Sequence, residues 1–132
     1  MIYFKHPSDH SIEGINFDLE IQFYAPGKNG SRGITLSKMF DSDDKPNQNL
    51  LKLGFGTKKL KSIALGKSIQ EKGEINPKNL IGKGASLINY QGEMTALNCE
   101  IVEWFVTLET GSLNDAQIED FSDPETEVKA KK

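Results

Sequence analysis

The sequence contains a single cysteine, Cys99, so an internal disulfide is excluded. No stretch approaches the roughly 18 consecutive apolar residues that a membrane-spanning helix needs. The N-terminus lacks the basic start and apolar run of a secretory signal. These absences favour a soluble protein of a reducing, intracellular compartment, and the sequence leaves open whether a leader precedes Met1.

Positive charge is also scarce and scattered. The 132 residues carry a formal net charge of −3, and the pI is near 5.4. Contacts with phosphates need clustered Lys and Arg side chains, so the composition argues against a nucleic-acid partner. The densest basic stretch, Lys58–Lys67, is interpreted as the solvated face of a helix.

Apolar periodicity predicts several strands. Asn16–Tyr24 alternates apolar and polar side chains, which is typical of a strand with one buried face. Ile2–Lys5 and Gly33–Phe40 are shorter candidates. Cys99–Leu108 carries apolar residues on both faces, so we expect it to be a central strand that is covered on both sides.

The helical signals are weaker. The spacing of apolar residues within Leu50–Gln70 predicts one helix, and Pro77–Ile81 suits a single helical turn because Pro is favoured at the first helical position. Asn114 precedes Gln117 by three residues, which is the spacing of a capping box at the start of a short helix.

These elements together predict the fold class. Three strands, a loop with a helix, a further strand and a final helix indicate a β-rich α+β domain over residues 1–122. We expect a central, mostly antiparallel sheet with short helices. Residues 123–132 are charged and lack a core pattern, so we predict a flexible tail there.

Two stretches resemble the α-carbonic anhydrase family. Phe4–Gly14 reads F-K-H-P-S-D-H-S-I-E-G and is followed by L-E-I-Q at Leu19–Gln22. This is similar to the family pattern F-H-x-P-S-E-H-x-[IV]-x-G followed by E-[LM]-H. Asn89–Trp104 is similar to Y-x-Y-x-G-S-L-T-T-P-P-C followed by V-x-W. The resemblance implies the middle and C-terminal part of the α-carbonic anhydrase fold.

The resemblance also implies that the zinc ligands are replaced. The family binds zinc through two histidines in H-x-H spacing on one strand and a third on the neighbouring strand. The matching positions here are Tyr3, Lys5 and Gln22. A protonated lysine repels Zn²⁺, and amide and phenol oxygens are poor zinc ligands. We therefore expect no metal, no other cofactor and no catalytic residue, since no zinc-bound hydroxide could form.

Several polar positions of the resembled site are retained. Glu20 matches the carboxylate that orients a zinc-bound histidine. Asp9 is a shorter version of the glutamate that orients the family's threonine gate, and Thr95 is the best match to that threonine. His10 matches a histidine to which the resemblance gives a structural hydrogen-bonding role.

The apolar wall of the resembled pocket is partly retained. Val102 and Trp104 match the side chains that line the family's carbon dioxide pocket. Tyr24 stands where the family has a small valine, so we expect the pocket to be partly filled.

A charge argument links two of these positions. Tyr3, Lys5, Glu20 and Gln22 should project to the same side of two adjacent strands. The ammonium of Lys5 could then replace the charge of the metal and pair with Glu20, since a carboxylate buried alone is costly. We therefore expect the Lys5 nitrogen within about 4 Å of Glu20, the limit for an ion pair.

Three functions remain open. The favoured interpretation is a non-catalytic domain that acts as a structural or accessory subunit or a protein-interaction module. Family domains are about twice as long as this chain, so a different partner covers the open sheet edges, or the fold closes in a reduced way, or the chain is a fragment. The favoured interpretation expects a protein partner at these edges. The alternative is a module that binds a small molecule or anion beside Lys5. The weakest is a zinc-dependent carbonate dehydratase whose metal has moved to His6 and His10, because Pro7 between them argues against a helix.

Overall fold

The computed structural model describes residues 1–57, 78, 81–82 and 84–122 of the chain. Four of the predicted features lie wholly or mostly outside this part. They are the basic stretch Lys58–Lys67, most of the helix predicted within Leu50–Gln70, most of the turn Pro77–Ile81, and the tail at residues 123–132.

Within the described residues, six strands form one mixed sheet, as the β-rich α+β prediction requires. Five of them lie side by side in the order β1 (Ile2–Lys5), β4 (Leu19–Ala25), β5 (Ile34–Ser42), β7 (Glu100–Thr107) and β6 (Leu87–Met94). The sixth, β8 (Gly111–Leu113), pairs with β5, and β2 (Ser11–Ile12) and β3 (Ile15–Asn16) form a separate pair. Neighbours are antiparallel except that β5 runs parallel to β7 and to β8.

Among the described residues, two short helices with defined bounds flank the sheet. They are α1 (Gln48–Lys52) and α2 (Asp115–Ser122), and a 3-10 turn at Thr95–Leu97 follows β6. The backbone N–H of Gln117 donates to Asn114 Oδ1 at 3.0 Å, and Gln117 Oε1 accepts from the N–H of Asn114 at 3.2 Å. The predicted capping box is therefore confirmed. Among the described residues, none of the helices is long and apolar enough to cross a membrane.

The strand predictions hold with shifted ends. Ile2–Lys5 is confirmed as β1, whereas the strand predicted from Asn16 begins only at Leu19. Asn16 instead pairs with Ser11 in the β2–β3 hairpin. Gly14, at a φ of 79°, lies in the turn of that hairpin, where a residue without Cβ is favoured.

The prediction that Cys99–Leu108 is covered on both faces was wrong. The strand is central, between β5 and β6, and Val102, Trp104 and Val106 are buried on one face. Ile101 on the opposite face is 49% exposed. The apolar run misled the interpretation because sequence alone does not show how far the packing elements extend over a sheet.

Alternation along the strands sorts side chains into two cores. One face of the sheet carries Leu19, Ile21 and Phe40. They pack with Leu50 of α1, Leu113 of β8 and Phe121 of α2. The opposite face, which we call the site face, carries Glu20 and Gln22 and a core of Met39, Met94, Val102, Trp104 and Val106. The polar residues singled out in the sequence lie on this second face.

Candidate functional site

The pairing of β1 with β4 brings four of the predicted residues together. Tyr3 lies opposite Gln22, and Lys5 lies opposite Glu20. Directly opposed residues of an antiparallel pair project to the same side of the sheet, and residues i and i+2 share a face. The expectation that these four side chains share one side of two adjacent strands is therefore confirmed.

Glu20 is the centre of the polar network on the site face. It is fully buried, and its Oε2 accepts hydrogen bonds from Ser37 Oγ at 2.6 Å and Gln22 Nε2 at 2.8 Å. The same oxygen lies 2.7 Å from His10 Nδ1, and Oε1 accepts from the backbone N–H of His10 at 2.8 Å. Charge-assisted hydrogen bonds of this kind offset the cost of burying a carboxylate.

The environment of Glu20 sets its protonation state. Burial by itself raises the pKa of the carboxyl, but the hydrogen bonds and charge of His10 and the hydrogen bond from Ser37 together outweigh burial. The net result is a pKa below the usual value of a glutamate. Glu20 is therefore a buried anion near neutral pH.

Lys5 does not pair with Glu20, so that expectation was wrong. Its Nζ donates to Thr95 Oγ1 at 3.4 Å and lies 4.0 Å from Asp9 Oδ2. Among the described residues, no ion pair joins Lys5 to Glu20. The physical reason is that the acceptor positions of Glu20 are already taken by closer donors, so the ammonium turns to the more exposed carboxylate of Asp9.

Asp9 and Thr95 form the contact that the resemblance implies for them. The hydroxyl of Thr95 donates to Asp9 Oδ2 at 3.2 Å, although the two residues are far apart in the sequence. Lys5 approaches both of them. The three side chains therefore make a small charged cluster at the exposed rim of the site face.

Gln22 links this rim cluster to the buried network. Its Nε2 donates to Glu20 Oε2 and to Asp9 Oδ2, the latter at 3.3 Å. Two carboxylates fix the amide in this orientation, because the opposite rotamer would set its oxygen against their negative charge. Gln22 Oε1 is consequently buried, and none of the residues that the structure describes donates a hydrogen bond to it.

Tyr90 and Ser37 belong to the site but were not selected from the sequence. The Tyr90 hydroxyl contacts His10 Nε2, so both ring nitrogens of His10 are engaged, in line with its predicted structural role. Burial, together with the charges of Glu20 and Asp9, raises the pKa of Tyr90. Tyr90 could have been selected only from the register of β6 and β7, in which it lies opposite Trp104. The sequence alone does not reveal that register.

The residues matched to the apolar wall lie in one core cluster. Val102 and Trp104 are buried in the site-face core, and Tyr24 packs against that core. The Trp104 ring lies edge-on to His10, with a centroid separation of 4.7 Å. Its Nε1 is buried, and, as for Gln22 Oε1, it has no hydrogen-bond partner within the described ranges.

The donor set at positions 3, 5 and 22 does not fit a zinc ion. A zinc site needs deprotonated thiolates, neutral imidazoles or carboxylates as ligands, and these positions supply a phenol, an ammonium and an amide. His6 Nδ1 is engaged with the backbone oxygen of Asp18, which leaves little support for a site shared with His10. No group of three or more His, Cys, Asp or Glu that could hold a metal occurs within the described ranges.

Comparison with known proteins places the fold. The model of the eukaryotic-type carbonic anhydrase family matches residues 3–132. The chain therefore belongs to the eukaryotic-type carbonic anhydrase family. No match was found among curated protein sequences.

Solved structures with the same fold include the α-carbonic anhydrases of Thermovibrio ammonificans and Photobacterium profundum. The first is 24% identical with a TM-score of 0.77 over 94% of this chain and 53% of its own. The second is 27% identical with a TM-score of 0.74 over 90% and 52%. Dioscorin, solved in complex with ascorbate, is 24% identical with a TM-score of 0.73 over 90% and 48%. The chain thus spans about half the length of the solved relatives that it matches.

Proposed function

We propose that this chain is a non-catalytic member of the carbonic anhydrase family and that it serves as a structural or protein-interaction module. The contacts of Lys5 carry this proposal. At a position where the resembled family has a zinc ligand, a lysine donates to Thr95 and lies beside Asp9. A protonated amine cannot ligate a metal and repels a divalent cation, which argues against zinc-dependent hydration.

Metal content and hydration activity test the non-catalytic part. After purification from zinc-supplemented cells, we expect far less than one zinc per chain by elemental analysis. We also expect carbon dioxide hydration at the rate of buffer alone. A zinc-loaded α-carbonic anhydrase from a solved relative is the positive control. One zinc per chain together with hydration above the buffer rate would contradict the proposal.

The edge strand β6 supports the interaction part. In the described part of the chain, β6 pairs on one side only, with β7. Its eight residues, LINYQGEM, contain no proline and no basic residue. Leu87, Ile88 and Tyr90 are 47%, 49% and 39% exposed. Proteins usually guard such an edge with Lys, Pro or a bulge, so an unguarded edge is suited to pairing with a strand of another polypeptide segment.

Hydrogen exchange and light scattering test this pairing. In the isolated chain, the β6 amides that point away from β7 should exchange much faster than those of β4, which is paired on both sides. Ile88→Lys should reduce concentration-dependent association measured by light scattering, and Ile2→Lys on β1 is the matched control. A monodisperse monomer with protected outward amides in β6 would contradict a partner at this edge.

The orphaned acceptor of Gln22 favours a second candidate, a binding module for a small hydroxylated acid or anion. Gln22 Oε1 is buried and has no donor among the residues that the structure describes, and Gln22 shares Asp9 as a partner with the cationic Lys5. A ligand with an anionic oxygen and a hydroxyl could satisfy both groups. Dioscorin, which has this fold, was solved with ascorbate, a molecule of that chemical class.

Calorimetric titration with ascorbate tests the second candidate. We expect weak saturable binding that is lost in Lys5→Met, because that substitution removes the charge and shortens the unbranched side chain by only one atom. Lys28→Met, on an exposed turn, is the control. Absence of binding to the unsubstituted chain at millimolar ascorbate, or unchanged binding in Lys5→Met, would reject the candidate.

A further inference from the structure

We infer that the free edge of β6 accepts an extended segment whose side chains alternate between basic and apolar, with the basic ones beside Glu93 and Glu103. The inference rests on the proposed function, because it takes β6 to be the edge at which a partner strand pairs. It goes further in naming the chemistry of that partner and the face on which each kind of side chain lies.

The hydrogen bonds around β7 show which backbone groups of β6 point outward. The N–H of Leu108 donates to the backbone oxygen of Ser86 at 3.0 Å, on the β6 side. The N–H of Glu103 donates in the opposite direction, to the oxygen of Gly33 just before β5, at 2.9 Å. Bonded positions alternate along an antiparallel pair, so even-numbered residues of β6 bond to β7. The backbone groups that point away from β7 are those of the odd-numbered residues, Leu87, Asn89, Gln91 and Glu93.

The odd-numbered side chains of β6 lie on the face opposite the site face, and this part of that face is acidic. Glu93 is exposed, and Glu103 of β7 lies opposite Gln91. The strands β6 and β7 together contain three glutamates and neither Lys nor Arg. Within the described ranges, no cationic side chain forms an ion pair with Glu93 or Glu103. Lys or Arg side chains of a partner strand on this face would therefore gain cross-strand attraction.

The even-numbered side chains of β6 lie on the site face and present an apolar strip. Ile88 and Tyr90 are 49% and 39% exposed. The Tyr90 ring stacks on Trp104 with a centroid separation of 6.1 Å. It also leans over Gly92, where a Cβ would come within 2.7 Å of the ring. A β-branched side chain of the partner, placed beside Ile88 and the ring of Tyr90, would remove apolar surface from water.

A second copy of this chain fits the edge less well than a basic segment. Its β6 would bring another Glu93 and no basic side chain, so the negative charge on the face opposite the site face would increase. A segment that alternates between basic and apolar side chains is the occupant that complements both faces of β6.

Titration with synthetic peptides tests the inference. The peptide KVKVKVK carries the proposed alternation, EVEVEVE reverses its charge, and KKVVVKK has the composition of the first peptide without its alternation. Fluorescence anisotropy of the labelled peptides measures affinity, and hydrogen exchange of the outward β6 amides by NMR locates the bound peptide. Glu93→Gln/Glu103→Gln removes the acidic pair. Asp41→Asn/Asp44→Asn, at exposed positions outside β6 and β7, is the matched control.

We expect KVKVKVK to protect the outward β6 amides and to bind at least about tenfold more tightly than either other peptide. Glu93→Gln/Glu103→Gln should bind it about fivefold more weakly, whereas the control variant should stay within about twofold of the unsubstituted chain, because distant charges are screened.

Three other outcomes would contradict the inference. Equal protection by KVKVKVK and EVEVEVE would overturn it and leave the proposed function intact. Protection that rises with the concentration of the chain alone, and not with peptide, would identify a second copy as the occupant. No protection by any peptide at millimolar concentration would reject strand pairing at β6, and the interaction part of the proposed function would fail with it.

Discussion

At the scale of one residue, Glu20 is the centre of the polar network on the site face. The carboxylate is fully buried and has four donors, from His10, Gln22 and Ser37. A buried charge with this many partners is costly to alter, because each partner would lose its own hydrogen bond. The network thus fixes the side chains around it.

Glu20→Gln tests this role. The new amide nitrogen would face donors in place of an acceptor, so we expect the free energy of unfolding to fall by about 3 kcal/mol. Urea denaturation measures the loss. Glu93→Gln, on the exposed part of β6, is the control and should change stability by no more than about 0.5 kcal/mol. A loss at Glu20 as small as at Glu93 would refute the central role of this carboxylate.

At the same scale, the sequence predicted which residues gather but not how they pair. Tyr3, Lys5 and Gln22 were placed on one side by alternation and by the resemblance, and register confirms it. The pairing of Lys5 with Glu20 was wrong because it ignored Ser37, a residue of the next strand that competes for the carboxylate. Such competition depends on which strand lies beside β4, and the local pattern carries no information about that.

At the scale of the element, α2 is held by more than its capping box. Gln117 is fully buried, and its Oε1 also accepts from the backbone N–H of Asn47 at 2.8 Å. Its Nε2 donates to the backbone oxygens of Asn47, at 3.0 Å, and Phe55. One side chain therefore joins the start of α2 to the start of α1, where Asn47 is itself the N-cap.

These contacts predict that the two residues of the capping box contribute unequally to stability. Asn114→Ala removes a cap and should cost about 1 kcal/mol. Gln117→Ala should cost more, about 2–4 kcal/mol, because it also removes the acceptor of the part-buried Asn47 N–H and a donor to the part-buried Phe55 oxygen. Thermal and urea unfolding of the two variants give the comparison. Equal losses would mean that the contacts to Asn47 and Phe55 contribute nothing to stability.

The sequence did not predict strands β6 and β8, because neither has an apolar periodicity of its own. Residues Leu87–Met94 mix amides, glycine and apolar residues without alternation, since both faces of the edge strand β6 are largely exposed. Gly111–Leu113 is too short to show a period, and it is recognisable as a strand only by its parallel pairing with β5. By contrast, the capping box at Asn114 was predictable because its two residues are three apart in sequence.

At the scale of the whole molecule, the lowered pKa of Glu20 couples stability to pH. Because the folded-state pKa lies below the unfolded value of about 4.3, the unfolded chain binds the proton more readily. The stabilisation from Glu20 is therefore complete above that unfolded value and is lost as pH falls through the folded-state pKa.

Acid titration checks this coupling. We expect the free energy of unfolding to decline as the pH falls below about 4.3, and the decline to be shallower in Glu20→Gln, which cannot titrate at that position. Trp104 is the only tryptophan and its ring lies against His10, so its fluorescence reports unfolding at the site itself. An identical acid slope in both proteins would exclude Glu20 as the titrating group.

The parallel contact between β5 and β7 has a consequence for the order in which the chain acquires its structure during synthesis. β1, β4 and β5 are near one another in sequence and can associate early. β5 can pair with β7 only after Glu103, the partner of Ile34, has been synthesised. Closing so long a loop slows folding, because chain entropy is lost before the new contacts form. On the ribosome, Val102 and Trp104 therefore join the site face only after β1, β4 and β5 have been made, and until then the carboxylate of Glu20 lacks its cover and is exposed to water.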